Sequence, residues 1–123
     1  QIKKVIMCSG KIYYDLIDAR EKSKNDEIVF VRLEQLYPFP AKTLANVLKR
    51  YVNSDFIWCQ EEPENQGAWT FISPLITGKL NEISKKNMIL KYAGRQPSAS
   101  PATGLAEQHK KEQEKLINNA LGI

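Results

Sequence analysis

Three observations predict a three-layer αβα fold: a mostly parallel four-stranded sheet, strand order 2-1-3-4, with helices on both faces. Four short runs are almost continuously apolar: Val5-Ile6-Met7-Cys8, Ile28-Val29-Phe30-Val31, Phe56-Ile57-Trp58-Cys59 and Met88-Ile89-Leu90. Continuous runs suit strands covered on both faces, the condition of a parallel sheet. Stretches of helical periodicity separate them, as crossovers between parallel neighbours require. The length, 123 residues, fits one domain able to bury a core without staples.

Each run serves as one strand. Ser9-Gly10 is expected to open the first helix, with Ser9 as its cap. Ile12, Tyr13, Leu16, Ile17 and Arg20 then follow at helical spacing. The second helix starts after Pro40, a good first-turn residue, and Leu44, Val47, Leu48 and Tyr51 form its apolar stripe. The third places Trp69, Ile72, Ile76, Leu80 and Ile83 on one side, with Pro74 tightening or bending its first two turns. The fourth runs from Leu105 to Leu121, with Leu116, Ile117, Ala120 and Leu121 apolar and Gly122 as a stop. In the order 2-1-3-4 the first and third strands are neighbours, and their crossovers leave in opposite directions. Ligands collect beyond the carboxyl ends of strands at such a switch point. Cys8-Ser9-Gly10-Lys11 and Gln60-Glu61-Glu62-Pro63 should face each other there.

Composition removes several function classes. The 18 Lys and Arg against 14 Asp and Glu give a net charge of +4, but the basic residues are spread over the whole chain and their densest clusters are pairs. A nucleic-acid binder shows a stripe or a tail, so no nucleic-acid partner is expected. No apolar run approaches membrane length and no signal peptide is visible, so no membrane partner is expected either. Cys8 and Cys59 lack metal-ligand spacing and read as buried thiols, although adjacent strands would make a disulfide geometrically conceivable. The chain begins with Gln1 and enters a strand almost at once, so it is expected to be one domain, residues 1 to 123, of something longer.

Three stretches carry candidate chemistry. WCQEEPENQGAW, residues 58 to 69, sets three carboxylates and three amides between two tryptophans. Glu61 and Glu62 are consecutive and should point to opposite sides of a strand, poor geometry for an acid–base pair on one bond. The only histidine, His109, lies on the last helix, so metal binding is not expected. This stretch reads as a shaped loop in which Gln60, Asn65 and Gln66 cap backbone groups and Gly67 turns the chain. Leu36-Tyr37-Pro38-Phe39-Pro40 reads equally as a stiff connector and as a subunit contact, with Tyr37, Pro38, Phe39 and Trp69 as candidate interface residues. In the turn-rich segment 92 to 104, Arg95 with Ser98 and Ser100 could bind an anion, or Arg95 could pair with a nearby acid. Ser9, Gly10, Lys11, Gln60, Asn65, Gln66, Arg95, Ser98 and Ser100 are together the candidate effector crevice. No Walker, GxGxxG, GxSxG or HExxH motif is present.

LEQLYPFP at 33 to 40, WCQEEPENQGAW at 58 to 69 and YAGRQPSASPATG at 92 to 104 together resemble the carboxyl-terminal region of 2-oxoglutarate dehydrogenase, the thiamine-diphosphate-dependent first component of its complex. The resemblance covers essentially the whole chain. It implies a transketolase carboxyl-terminal fold, commonly of five strands with one antiparallel at the edge; four are visible here. It also implies a parent that decarboxylates 2-oxoglutarate oxidatively and passes succinyl to the lipoyl arm of dihydrolipoyl succinyltransferase, with dihydrolipoyl dehydrogenase completing the assembly. The family's thiamine diphosphate, magnesium and catalytic histidines belong to preceding domains, so no catalytic, cofactor or metal residue is carried over and no cofactor is expected on this chain alone. A structural role in a homodimer, in the bacterial cytoplasm or the mitochondrial matrix, is the implied function. Response to acetyl-coenzyme A or AMP is implied for some members.

Overall fold

In the computed structural model, which describes residues 1–84, 88–97 and 106–123, the sheet has the expected order and is parallel throughout: β2-β1-β3-β4. The strands are β1 (Lys4–Cys8), β2 (Ile28–Arg32), β3 (Asp55–Pro63) and β4 (Lys91–Arg95). The helices are α1 (Ile12–Ser23), α2 (Ala41–Leu48), α3 (Trp69–Ile83) and α4 (Ala106–Leu121), with one 3-10 turn at Lys49–Tyr51.

Alternation along the strands makes two cores. Ile6, Cys8, Ile57, Cys59 and Ala93 face α1 and α4, meeting Ile12, Leu16, Leu116, Ile117, Ala120 and Leu121. Val5, Met7, Phe56 and Trp58 face α2 and α3, meeting Leu44, Leu48, Ile72, Ile76 and Leu80. The chain reverses direction in the sheet after β2, and a right-handed crossover then has to change face. This puts α1 on one side and α2 and α3 on the other, with the switch point between β1 and β3; α4, after the last strand, packs on the α1 side.

Three local expectations are corrected. Ser9 does not cap α1: the N-cap is Lys11 and has no side-chain cap bond. Gly10, at φ +84°, turns the chain instead, and the amide of Tyr14 bonds the carbonyl of Lys11 at 3.1 Å. The fourth strand is Lys91–Arg95, not Met88-Ile89-Leu90; Leu90 is buried ahead of it, whereas Ile89 is 78% exposed. Finally, β3 continues through Gln60-Glu61-Glu62-Pro63, so half of the expected loop is strand. Opposite β4 its register shifts between Cys59 and Pro63: four steps of β3 match two of β4.

The helix ends follow sequence chemistry. α2 begins directly after Pro40, and the amide of Leu44 bonds its carbonyl at 3.0 Å. α4 stops at Gly122, φ +80°, where the amides of Ile123 and Gly122 return to Asn118 and Asn119, closing the last turn.

Candidate functional site

In the last residues of β3, toward its carboxyl end, stand two polar hubs, one on each face of the sheet. Gln60 and Glu61 are successive strand residues, so their side chains leave in opposite directions.

Gln60 turns toward α3 and is 3% exposed. Its Oε1 accepts from Trp58 Nε1 at 2.9 Å and from the backbone N–H of Trp69 at 3.0 Å. Its Nε2 donates to the carbonyls of Glu62 at 3.1 Å, Pro63 at 3.0 Å and Gln66 at 2.8 Å. A buried amide has two acceptor lone pairs and two N–H groups, and here both ends are occupied. One side chain thus fixes the strand end, the turn over 63 to 67 and the first turn of α3. Tyr92 completes this side: its ring meets Trp69 at 5.0 Å and its hydroxyl donates to the Arg95 carbonyl at 2.8 Å. Burial pushes the Tyr92 hydroxyl up to about 12, with Gln60 opposing and Glu64, Cys59 and Glu62 adding. Gly94 has to be small, since a methyl there would lie 2.3 Å from Tyr92 Oη and 2.9 Å from the Gln60 carbonyl.

Glu61 turns toward α4. Its Oε1 takes Lys11 Nζ at 3.2 Å and Gln113 Nε2 at 2.9 Å. Gln113 Nε2 also reaches Asp15 Oδ2 at 3.2 Å, and its Oε1 accepts from Arg95 Nη2 at 3.0 Å. The Arg95 side chain is only 9% exposed. Its Nε donates to Glu112 Oε1 at 3.1 Å, its Nη1 to the Glu61 carbonyl, and its Nη2 lies 3.3 Å from His109 Nδ1. Residues from α1, β3, β4 and α4 therefore share one network, and the planar guanidinium suits such divided duty better than an ammonium would.

The expected crevice residues are only partly assembled. Lys11 does meet the end of β3, through Glu61, and Gly10 lies beside it on the α1 turn. Arg95 joins the same network from β4, and its acid is Glu112. Gln60 belongs to the opposite face, together with Gln66, whose carbonyl it binds, and the exposed Asn65. Ser9 is half-buried next to Gly10. Ser98 and Ser100 lie outside the described residues. Gln113, Glu112 and Asp15 were not anticipated. A usable signal was present: His109, Glu112 and Gln113 sit at i, i+3 and i+4 on one helix face.

The interface candidates also differ from one another. Tyr37, joined to Pro38 by a cis peptide bond, is 83% exposed and stands in solvent, and Pro38 is exposed with it. Phe39 packs against the α2–α3 core, as does Trp69 beside Tyr92.

Cys8 and Cys59 follow the paired Met7 and Trp58 in register and enter the same core. Burial pushes Cys8 up to about 11, with Arg32 opposing. Burial, then Cys8 and Glu61, push Cys59 up to about 12. Both are free thiols held protonated, which slows any thiolate chemistry at neutral pH. Among the described residues no three His, Cys, Asp or Glu converge on a metal-sized space, and no helix is long and apolar enough to cross a membrane. A shallow depression of about 390 Å³ lies near the start of β2, away from the hubs, lined by Arg20, Glu21, Lys24, Asn25 and Asp26.

The described parts of the motif-bearing stretches form the two hubs and the connector ahead of α2, and the family described as 2-oxoglutarate dehydrogenase C-terminal matches residues 1–121. The chain belongs to this family. The 2-oxoglutarate dehydrogenase E1 components of Brucella anthropi, Brucella ovis and Brucella canis are each 48% identical to it over 122 residues, which is 99% of this chain and 12% of each relative. The chain thus spans about an eighth of the length of these curated relatives. As a 2-oxoglutarate dehydrogenase C-terminal domain it has the parallel 2-1-3-4 sheet expected of a transketolase-C-terminal-like fold.

Proposed function

We propose that residues 1–123 are the carboxyl-terminal structural domain of a 2-oxoglutarate dehydrogenase E1 subunit. The parent is an oxidoreductase that decarboxylates 2-oxoglutarate and hands succinyl to the lipoyl arm of dihydrolipoyl succinyltransferase, in a complex with dihydrolipoyl dehydrogenase. The observation that carries this reading is the coverage: 99% of this chain aligns with only 12% of its relatives. Thiamine diphosphate and magnesium are held by other parts of the subunit, and the cofactor supplies the carbanion chemistry there. This domain contributes rigidity and surface to a homodimer, in the cytoplasm of a bacterial host.

Both hubs support a scaffold role, because their hydrogen-bonding groups face each other and the backbone. Two measurements test it. The coding region ahead of Gln1 should encode thiamine- and magnesium-binding segments; a different gene context removes the reading. The isolated chain, given thiamine diphosphate, magnesium and 2-oxoglutarate, should release no carbon dioxide, and genuine turnover would refute the scaffold role.

A second reading, an effector site for acetyl-coenzyme A or AMP, rests on one observation. The Lys11 side chain is 80% exposed beside the open Gly10 turn, so its ammonium can leave Glu61 for a phosphate at little cost. Calorimetric titration of both ligands into the chain, with Lys11→Ala and Arg95→Ala as controls, tests it. No heat with the native chain removes this reading for the domain alone.

A further inference from the structure

We propose that Arg32 and the Tyr14 hydroxyl form a binding site for a carboxylate at the open edge of the sheet. Arg32 ends β2, an edge strand, and pairs in register with Cys8 of β1. Alternation puts its side chain on the same face as Ile28 and Phe30, the face covered by α1. It is half-buried beneath the first turn of that helix, its guanidinium 5.3 Å from the Tyr13 ring and 5.1 Å from the Tyr14 ring. A guanidinium carries five N–H donors. Here Nη1 donates to Tyr14 Oη at 3.2 Å, while Nε is enclosed and bonds nothing. Among the described residues no carboxylate pairs with Arg32. The other part-buried arginines are served: Arg95 has Glu112, and Arg20 has the Ile28 carbonyl.

The deficit at this place is one of acceptors. Aromatic faces attract the cation but accept nothing in the plane where its N–H groups point. An enclosed N–H without a partner is costly, so the charge is held here without an acid in its own chain to offset it. Tyr14 deepens the deficit: its oxygen accepts from Arg32, its hydrogen is left to be donated, and the residue is 61% exposed. Two donors of different kinds thus stand at the surface, close enough for one anion to take both. Charge selects that anion. Lys11 turns across β1 to Glu61 of β3, which leaves one positive charge at Arg32. A carboxylate matches it in charge and in its planar shape, whereas a phosphate dianion would leave charge unbalanced. The carboxylate comes either from a free small acid or from an acidic side chain of the longer parent, of which the chain is about an eighth. The site does not depend on the reaction proposed for that parent.

Sodium acetate titrated into the 123-residue chain, against sodium chloride at equal ionic strength, should shift the backbone amide signals of Tyr13, Tyr14 and position 32 saturably, with a Kd of about 10 mM or below. Arg32→Lys keeps the charge and loses the fork, and should weaken acetate about tenfold. Tyr14→Phe keeps the ring over the guanidinium and removes only the hydroxyl, and should weaken it about threefold. Lys11→Ala should leave it unchanged, which separates this site from the effector reading above. The proposal is overturned if acetate acts no differently from chloride, if inorganic phosphate binds more tightly than acetate, if Arg32→Lys and Tyr14→Phe bind as the native chain does, or if Lys11→Ala abolishes binding. A second arm names the source. In the full-length subunit carrying Arg32→Lys, carbodiimide coupling in the presence of acetate is mapped by mass spectrometry. A crosslink from position 32 to an acidic side chain outside residues 1–123 assigns the carboxylate to the subunit, and acetate coupled at position 32 assigns it to a free acid. Only this arm needs the longer parent; the acetate titration stands or falls without it.

Discussion

Gln60 and Glu61 are neighbours in sequence and organise opposite faces of one sheet by opposite means. Beneath α3 a neutral amide, sealed from water, satisfies two donors and three carbonyls. Beneath α4 a carboxylate and a guanidinium, nearer the rim, share a network of charged partners. The difference teaches where each kind of group is affordable. A sealed position with both donors and acceptors to satisfy favours an uncharged group that can do both, because isolated charge there is very costly. At the rim, water shares the cost of charge and formal ions can tie several elements together.

The largest expected effect tests the sealed hub. Gln60→Ala takes the acceptor from Trp58 Nε1 and from the Trp69 amide and one donor from each of three carbonyls, although Pro63 keeps the Gln66 amide and Glu62 the Tyr92 hydroxyl; it should cost about 4 kcal/mol, measured by urea unfolding. Against the roughly 5–15 kcal/mol by which domains are stable, that approaches global unfolding. A cost under about 1 kcal/mol would show that water replaces the amide, and the contrast between the hubs would vanish.

Next comes Arg95→Ala, which strands Glu112 and the Glu61 carbonyl and should cost about 2–4 kcal/mol. Hydrogen exchange should quicken first in α4, with α3 protected as before. Equal loosening of both helices would mean that the hubs are not independent. Arg95→Lys should recover less than half, because an ammonium cannot span the same partners.

Alkaline pH sharpens the comparison by acting on groups near both hubs. Cys8, Cys59 and Tyr92 ionise at 9.0, 9.0 and 10.0 in an ordinary environment, but at about 11, 12 and 12 in the fold. The unfolded chain therefore sheds these protons first. Stability is whole below about pH 9 and declines as pH rises toward 12. Urea midpoints should fall between pH 8 and pH 10.5, less so in a Cys8→Ala, Cys59→Ala chain; identical slopes in the two would clear the thiols. The smallest effect belongs to Lys11→Ala. This exposed bridge to Glu61 should contribute under about 0.5 kcal/mol, and 1 M salt should erase even that.

Much of the architecture was legible because burial on both faces writes itself as unbroken apolar runs. The first three runs lie within β1, β2 and β3, and the change of face after β2 follows from handedness alone. The fourth misleads: Met88-Ile89-Leu90 is more apolar than KYAGR, yet β4 is an edge strand with only Ala93 buried, so its composition carries little of the signal. The end of β3 was hidden for the opposite reason. Gln60 looks like a loop residue because its partners, though all between Trp58 and Trp69, reach it only once the turn folds back onto the strand, which local composition does not display. The Arg95 network needed α4 to be docked before Gln113 had any meaning. The pairing of Arg95 with an acid was an open alternative in the sequence, but the identity of that acid was not.

The run-on of β3 past Cys59 has a consequence for what this stretch can tolerate. Strand alternation assigns each residue its face by counting, so losing one residue before Gln60 would exchange the two hubs. An acid would then sit against the tryptophan indole, and the amide would take the buried place of Cys59 against α1 and α4. Substitutions here can be graded by size and polarity, whereas a change of length has no mild form.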